Sequence, residues 1–167
     1  MFQFICHKII KSTSMKYFFI VLTVIVYGTT AKAQSAEDSV KAVINNLFTA
    51  MKTADPVLLK TTFADSMVLQ TISRNKEGKL VVINENPADF IGIISKESPG
   101  NADERITFDV VKVDGPLAIA WTPYNFYYKG QFSHCGVNSF QLVRFNGEWK
   151  IQYLIDTRRK QGCKVEE

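Results

Sequence analysis

The sequence predicts an α+β domain in which N-terminal helices pack on a curved, mostly antiparallel sheet. Apolar residues recur with a helical period over residues 36–52, near the start of the predicted domain. Three long apolar and aromatic runs, joined by very short connections, occupy residues 117–158. Because the helices come first and the long strands last, without regular alternation, an antiparallel sheet is favoured over a parallel one.

The N-terminal segment has the pattern of a secretory signal peptide. From Met15 the chain reads MKYFFIVLTVIVYGTTAKAQ, with one lysine, an apolar core and the small-residue pattern Ala31-Lys32-Ala33. This predicts a signal peptide over 1–33, with Met15 as an alternative start, and a single mature domain over 34–167. The apolar core is short for a membrane span, and an uncleaved anchor is the alternative interpretation. We therefore expect a periplasmic or secreted protein.

Charge and cysteine content limit the partners of the mature chain. Of the 20 Lys and Arg residues, four lie in the signal segment, which contains none of the 16 acidic residues, so the mature chain is balanced. A balanced charge gives no reason to expect nucleic acid or a membrane as a partner. Cys135 and Cys163 remain after cleavage, and an even pair in an exported protein indicates a disulfide. Two cysteines without a histidine cluster do not have the spacing of a zinc site, so no metal is predicted. No cofactor is predicted either.

The first half of the mature chain predicts three helices and two strands. The first helix, over 36–52, places these apolar residues on one face: Val40, Val43, Ile44, Leu47, Phe48 and Met51. Asp55-Pro56 supplies a cap and a first helical position for a second, short helix. Strands follow at 67–73 and 80–83, and Asn86-Pro87 begins a third helix that reaches Ile94.

The second half predicts four strands. One covers residues 105–113, and three longer ones follow over 117–128, 132–145 and 148–158. Asn146-Gly147, between alternating strands, is a strong hairpin signal because both turn residues must adopt positive φ. With that turn, and alternation without interruption, Phe140 faces Tyr153 and Asn138 faces Ile155.

This register predicts a pocket wall on one face of the sheet. A turn at Gly130-Gln131 adds side chains from the preceding strand, around the side-chain-free Gly136. A wall of aromatic groups with a few convergent polar groups is typical of a small-molecule site. The predicted ligand-binding residues are Trp121, Asn125, Tyr127, His134, Asn138 and Tyr153.

His134 is the single histidine of the mature chain and the candidate catalytic residue. A general base would benefit from an orienting carboxylate, but uninterrupted alternation places Asp109 and Asp156 on the outer face. The sequence therefore favours a binding protein for a small apolar or aromatic molecule. A lyase or isomerase using His134 as base is the alternative, and a dimeric interaction module that pairs through the outer face is a third.

Two motifs carry a resemblance to a known superfamily. Gly147-Glu148-Trp149-Lys150-Ile151 and Phe63-Ala64-Asp65 resemble motifs of the nuclear transport factor 2-like superfamily, and residues 121–159 are similar to its exported bacterial members, called SnoaL-like or lumazine-binding-like. The resemblance covers about residues 36–160. It implies a cone-shaped roll whose helices close one end of the sheet, with a ligand cavity between them. The fold hosts isomerases, dehydratases, hydrolases and binding modules, so it does not decide the function.

Overall fold

The computed structural model describes residues 36–163. Its first helix, α1, covers 36–53. The other elements are α2 (Pro56–Thr62), β1 (Phe63–Arg74), β2 (Leu80–Glu85), α3 (Pro87–Ile94), β3 (Ala102–Ile106), β4 (Val110–Asp114), β5 (Leu117–Tyr128), β6 (Gln131–Phe145) and β7 (Glu148–Arg159). No helix in this part of the chain is long and apolar enough to cross a membrane.

The seven strands form one sheet in the order β2-β1-β7-β6-β5-β3, and β4 also pairs with β5. Strand β1 runs parallel to β7, whereas the other neighbouring pairs are antiparallel. The three helices pack on this curved, open sheet, which confirms the predicted α+β fold class.

Helices α2 and α3 begin at the caps that the sequence predicts. The Asp55 carboxylate accepts hydrogen bonds from the backbone N–H groups of Val57 and Leu58, at 3.0 and 2.9 Å. The Asn86 side chain accepts one from Ala88 at 2.8 Å. In both helices proline occupies the first turn, where its missing N–H would have no helical partner.

The apolar face of α1 forms one wall of the core. Val40 and Ile44 are fully buried there, and the Phe48 ring meets Phe140 of β6 edge-on at a centroid distance of 6.2 Å. Leu142 and Ile151 complete this packed end of the sheet and are also fully buried.

The strand predicted over 105–113 is two strands, because pairing with β5 slips by one residue near Pro123. Ile106 pairs with Tyr124, but Val110 pairs with Trp121. Pro123 lies at this break and has no N–H to donate to a ladder. Strand β3 also begins at Ala102, three residues earlier than predicted, and so includes Glu104.

The β6–β7 hairpin follows the predicted register only near its turn. Leu142 pairs with Ile151 as predicted, but Gln141 then pairs with Tyr153, so that Gln152 is an extra residue on β7. Such a β-bulge reverses which face each later side chain occupies. Asn138 therefore pairs with Asp156 rather than with Ile155, and the predicted register is wrong beyond Gln152.

A second irregularity changes the β5–β6 hairpin. Its turn is formed by Lys129 and Gly130, both with positive φ, rather than by Gly130 and Gln131. Tyr127 pairs with Phe132 but Phe126 pairs with His134, which leaves Ser133 as the extra residue. Consequently the inward side chains of β5 differ from those that the sequence predicts. In the structure they are Ala118, Ala120, Thr122, Tyr124 and Phe126.

Candidate functional site

A cavity of about 670 Å³ lies between the concave face of the sheet and helices α1 and α3. Its helical walls are mainly apolar, with Asp89 of α3 as the charged exception, and come from Leu47, Phe48, Met51, Phe90, Ile93 and Ile94. The sheet contributes the polar groups Glu104, Tyr124, His134, Asn138, Asp156 and Arg158. The cavity therefore has apolar walls and a polar floor.

Glu104 and Asn138 form the centre of the polar floor. The Asn138 Nδ2 group donates to Glu104 Oε1 at 2.8 Å, and the Asn138 side chain is buried. Burial raises the pKa of the Glu104 carboxyl from its ordinary value of 4.5 to about 7, against the opposing effect of the Asn138 hydrogen bond. The negative charge of Asp156 raises this pKa further, and Arg158 lowers it. Glu104 can therefore exchange a proton near neutral pH.

Asp156 connects β7 to β5 and to the rim of the cavity. Its Oδ2 atom accepts from the Tyr124 hydroxyl at 3.1 Å and from Arg158 Nε at 2.9 Å. Arg158 also lies 3.4 Å from the Glu85 carboxylate, through Nη2. Burial, together with the negative charges of Glu104 and Asp156, raises the pKa of the Tyr124 hydroxyl well above its usual range. Tyr124 thus stays protonated and acts as a hydrogen-bond donor.

Gly136 makes room for Tyr124 to reach β7. The Tyr124 hydroxyl also approaches the Thr157 carbonyl oxygen, at 2.9 Å, on the far side of β6. A Cβ atom on Gly136 would collide with that same oxygen and would lie 2.7 Å from the Tyr124 ring. The glycine is therefore needed for close approach of the neighbouring groups, not for a turn.

His134 lies in the cavity, as the sequence predicts. Its Nδ1 atom is 3.0 Å from the Ser133 hydroxyl, and its ring packs near Tyr124 and Phe126, at centroid distances of 5.7 and 5.1 Å. Burial and then the positive charge of Arg158 lower the pKa of the imidazole. Its described hydrogen-bond partner is a hydroxyl, not the orienting carboxylate that a general base would benefit from.

Of the six predicted ligand-binding residues, His134 and Asn138 line the cavity and the other four do not. Trp121 and Asn125 line a second, smaller cavity of about 420 Å³ on the outer face. Tyr127 packs under the Arg105 guanidinium, whose carbon lies 4.1 Å from the ring centroid. The Tyr153 hydroxyl donates to Gln70 at 2.6 Å. Their predicted position in the cavity is wrong because the two bulges reverse the faces of β5 and β7 relative to β6.

The sequence analysis also missed four polar residues of the cavity, for two different reasons. Glu104 carried a usable signal, because Ala102, Glu104 and Ile106 alternate with the polar residues Asp103 and Arg105. Tyr124, Asp156 and Arg158 carried none without knowledge of the bulges.

The outer face holds the disulfide. Cys135 and Cys163 are bridged, with Cα atoms 5.8 Å apart, so the segment after β7 is attached to β6. No cluster of three or more His, Cys, Asp or Glu within residues 36–163 is arranged to hold a metal ion. The homodimer that the sequence suggested stays a prediction.

An α+β cone with a ligand-sized cavity between its helices and its sheet is the nuclear transport factor 2-like fold. No protein-family model and no curated protein sequence matches the chain. Solved structures do match, at low sequence identity.

One such structure is a nuclear transport factor 2-like protein of unknown function from Shewanella baltica, with a TM-score of 0.61 and 12% identity, over 76% of this chain and 96% of that one. Another, from Silicibacter pomeroyi and also of unknown function, has a TM-score of 0.58 and 17% identity, over 75% and 98%. A domain of unknown function with a cystatin-like fold from Nostoc punctiforme has a TM-score of 0.57 and 16% identity, over 76% and 80%. At these identities the likeness shows the fold alone.

Proposed function

We propose that this chain is an exported protein that binds a small, largely apolar or aromatic molecule in its cone cavity. The observation that carries the proposal is the cavity of about 670 Å³, which is apolar on its helical walls and polar on its floor. Small-molecule sites generally have this size and this division of surface. The apolar walls would hold the body of the ligand, and the floor would fix its orientation.

Export is supported by two features that do not depend on each other. The N-terminal segment has the composition of a signal peptide. The Cys135–Cys163 disulfide is of a kind that persists in oxidising compartments and is rare in the cytosol.

Native mass spectrometry of the full chain, expressed in a bacterium and recovered from the periplasmic fraction, tests this proposal. We expect a bound small molecule that denaturation releases, and a chain that begins at Gln34 with a mass deficit of two hydrogens for the disulfide. Phe126→Ala, in the cavity wall, should weaken binding of that molecule about tenfold, since an aromatic contact contributes about 1 kcal/mol or more. Trp121→Ala is the matched control, because it truncates an aromatic residue of the same strand on the outer face.

Two results would contradict the proposal. An empty protein in the periplasmic fraction would argue against a resident ligand. Equal losses of binding in the two variants would show that the molecule does not occupy the cavity.

Proton transfer is a second candidate function, favoured by the Glu104 pKa of about 7 inside the cavity. In this case Glu104, rather than His134, would be the general base of an isomerase or lyase. Incubation of the released molecule with protein in deuterated water should place deuterium on one carbon atom, and Glu104→Gln should abolish the exchange. Exchange that persists in Glu104→Gln would exclude Glu104 as the base.

A further inference from the structure

The cavity carries a strong excess of negative charge. Its lining includes five carboxylates, from Glu85, Asp89, Glu97, Glu104 and Asp156, and a single guanidinium, from Arg158. The excess is local, because the mature chain contains equal numbers of acidic and basic residues. Low-dielectric walls concentrate such a field in a cleft and raise the local concentration of ions of opposite sign.

Arg158 is already engaged by two of these carboxylates. Its Nε atom donates to Asp156 at 2.9 Å, and its Nη2 atom lies 3.4 Å from Glu85. An anionic ligand that approached this guanidinium would have to compete with both carboxylates. The arrangement therefore disfavours a carboxylate or phosphate as the charged part of the ligand.

Two other carboxylates are held by neutral groups. Glu97 accepts from the Asn101 amide at 2.9 Å and from the Tyr128 hydroxyl at 3.2 Å. Glu104 accepts from the Asn138 amide at 2.8 Å. Hydrogen bonds from neutral groups do not neutralise a carboxylate, so both carboxylates can pair with a cation when they are ionised.

Aromatic rings also surround this space. Phe48 comes from α1, Phe90 from α3, and Tyr124, Phe126 and Tyr128 from β5. The face of an aromatic ring attracts an ammonium group, and aromatic rings beside a carboxylate form a common binding arrangement for organic cations.

We propose that the ligand of this cavity is an organic amine, with an apolar body and an ammonium group that pairs with Glu104 on the polar floor. This inference rests on the proposed binding function and adds the chemical class of the ligand. The apolar body would contact the helical walls, and the ammonium group would lie between Glu104 and the aromatic rings.

The proposal implies a dependence on pH, because Glu104 must be ionised to pair with the ammonium group. The groups that act on it are Asp156 and Arg158 from β7, Tyr124 from β5 and the hydrogen-bonded Asn138 from β6. The other titratable groups that line the cavity are Glu85, Asp89, Glu97, Tyr128 and His134. Burial raises the pKa of Glu104 itself to about 7. An amine that remains protonated throughout should therefore bind more tightly as the pH rises through about 7.

Calorimetric titration of the mature protein with three probes that share one ring system tests the proposal: naphthylmethylamine, naphthylmethanol and naphthoate. At pH about 8 the amine should bind about tenfold more tightly than the alcohol, which corresponds to a single ion pair of moderate strength, and naphthoate should bind most weakly. Glu104→Gln should remove most of the advantage of the amine over the alcohol. Glu77→Gln, which removes a carboxylate from the exposed turn after β1, is the matched control and should leave that advantage unchanged.

The possible results distinguish a failure of the proposed ligand class from a failure of the proposed binding function. If the alcohol or naphthoate binds as tightly as the amine, or if Glu104→Gln keeps the advantage of the amine, the ligand class is wrong and the cavity still binds apolar molecules. If none of the probes binds, or if Phe126→Ala does not weaken those that do, the cavity is not the binding site and both proposals fail.

Discussion

Near the Asn146-Gly147 turn, the β6–β7 hairpin pairs Leu142 with Ile151, and both side chains are fully buried in the core. Beyond Gln152 the same two strands pair Asn138 with Asp156, and both side chains line the cavity. We call residues 142–151 the turn half of the hairpin, and residues 135–141 with 153–159 the cavity half. Gln152, the extra residue on β7, separates the turn half from the cavity half.

The difference between the halves shows how one hairpin serves both stability and binding. In the turn half, the apolar pair Leu142–Ile151 is fully buried in the core and stabilises the fold. In the cavity half, the buried side chains of Asn138 and Asp156 are hydrogen-bonded to Glu104, Tyr124 and Arg158, which offsets the cost of removing them from water. Because a bulge bends a strand and reverses its faces, Gln152 is where the hairpin changes from one role to the other.

The largest expected effect is a difference in the free energy of unfolding between Ile151→Ala and Tyr153→Ala. The predicted register places both side chains on the inward face. Ile151→Ala should destabilise the protein by about 2–5 kcal/mol, because it leaves a hole in a fully buried site. Tyr153→Ala should cost only about 1 kcal/mol, since Tyr153 lies on the outer face and loses mainly its hydrogen bond to Gln70. Urea unfolding of both variants measures the difference. Equal losses would mean that the strand continues without a bulge.

Gly136→Ala tests the close packing of the cavity half. The new methyl group would collide with the Thr157 carbonyl and crowd the Tyr124 ring, so we expect a loss of about 3 kcal/mol in the free energy of unfolding. Gly92→Ala is the control: its site in α3 is open, and alanine there should be neutral or stabilise by up to about 1 kcal/mol. A well-tolerated Gly136→Ala would argue against the described path of Tyr124 across β6.

The smallest effect concerns the pH dependence of stability. Burial raises the folded-state pKa of Glu104 from 4.5 to about 7. The protonated carboxyl therefore stabilises the folded state fully below about pH 4.5, and this contribution is lost as the pH rises through about 7. Between about pH 5 and about pH 7 this loss should amount to about 2 kcal/mol.

Glu104→Gln should therefore flatten the stability profile across that window, as measured by urea unfolding at several pH values. The exposed control Glu77→Gln should keep the slope of the original protein. A profile of Glu104→Gln that falls as steeply as that of the original protein would show that the slope has another origin.

Much of the fold followed from local signals in the sequence. The helices begin at Asp55-Pro56 and Asn86-Pro87, where a polar side chain and a proline satisfy the first helical turn. Asn146-Gly147 sets the hairpin turn and the first pairs beside it. These features depend on residues close together in the chain, so the sequence alone contains the necessary information.

The residues of the candidate site could be predicted from the sequence only in part. His134 and Asn138 were placed in the cavity correctly because both belong to β6, whose faces were assigned correctly. Four residues were assigned to it wrongly, namely Trp121, Asn125, Tyr127 and Tyr153. Asp156 and Arg158, which line it, were assigned to the outer face. Glu104 was missed because the strand was predicted to begin at Arg105, one residue after Glu104, whereas it begins at Ala102.

The sequence by itself determined the helices, the caps of α2 and α3, most of the strands and the Asn146-Gly147 turn, because each depends on short-range geometry. The tertiary structure decided which side chains of β5 and β7 face the cavity. That choice depends on single extra residues at Ser133 and Gln152, where the ladders adjust to the curvature of the sheet. No local pattern marks either residue, and since strand alternation has a period of two, each one reverses the assignment of every later pair.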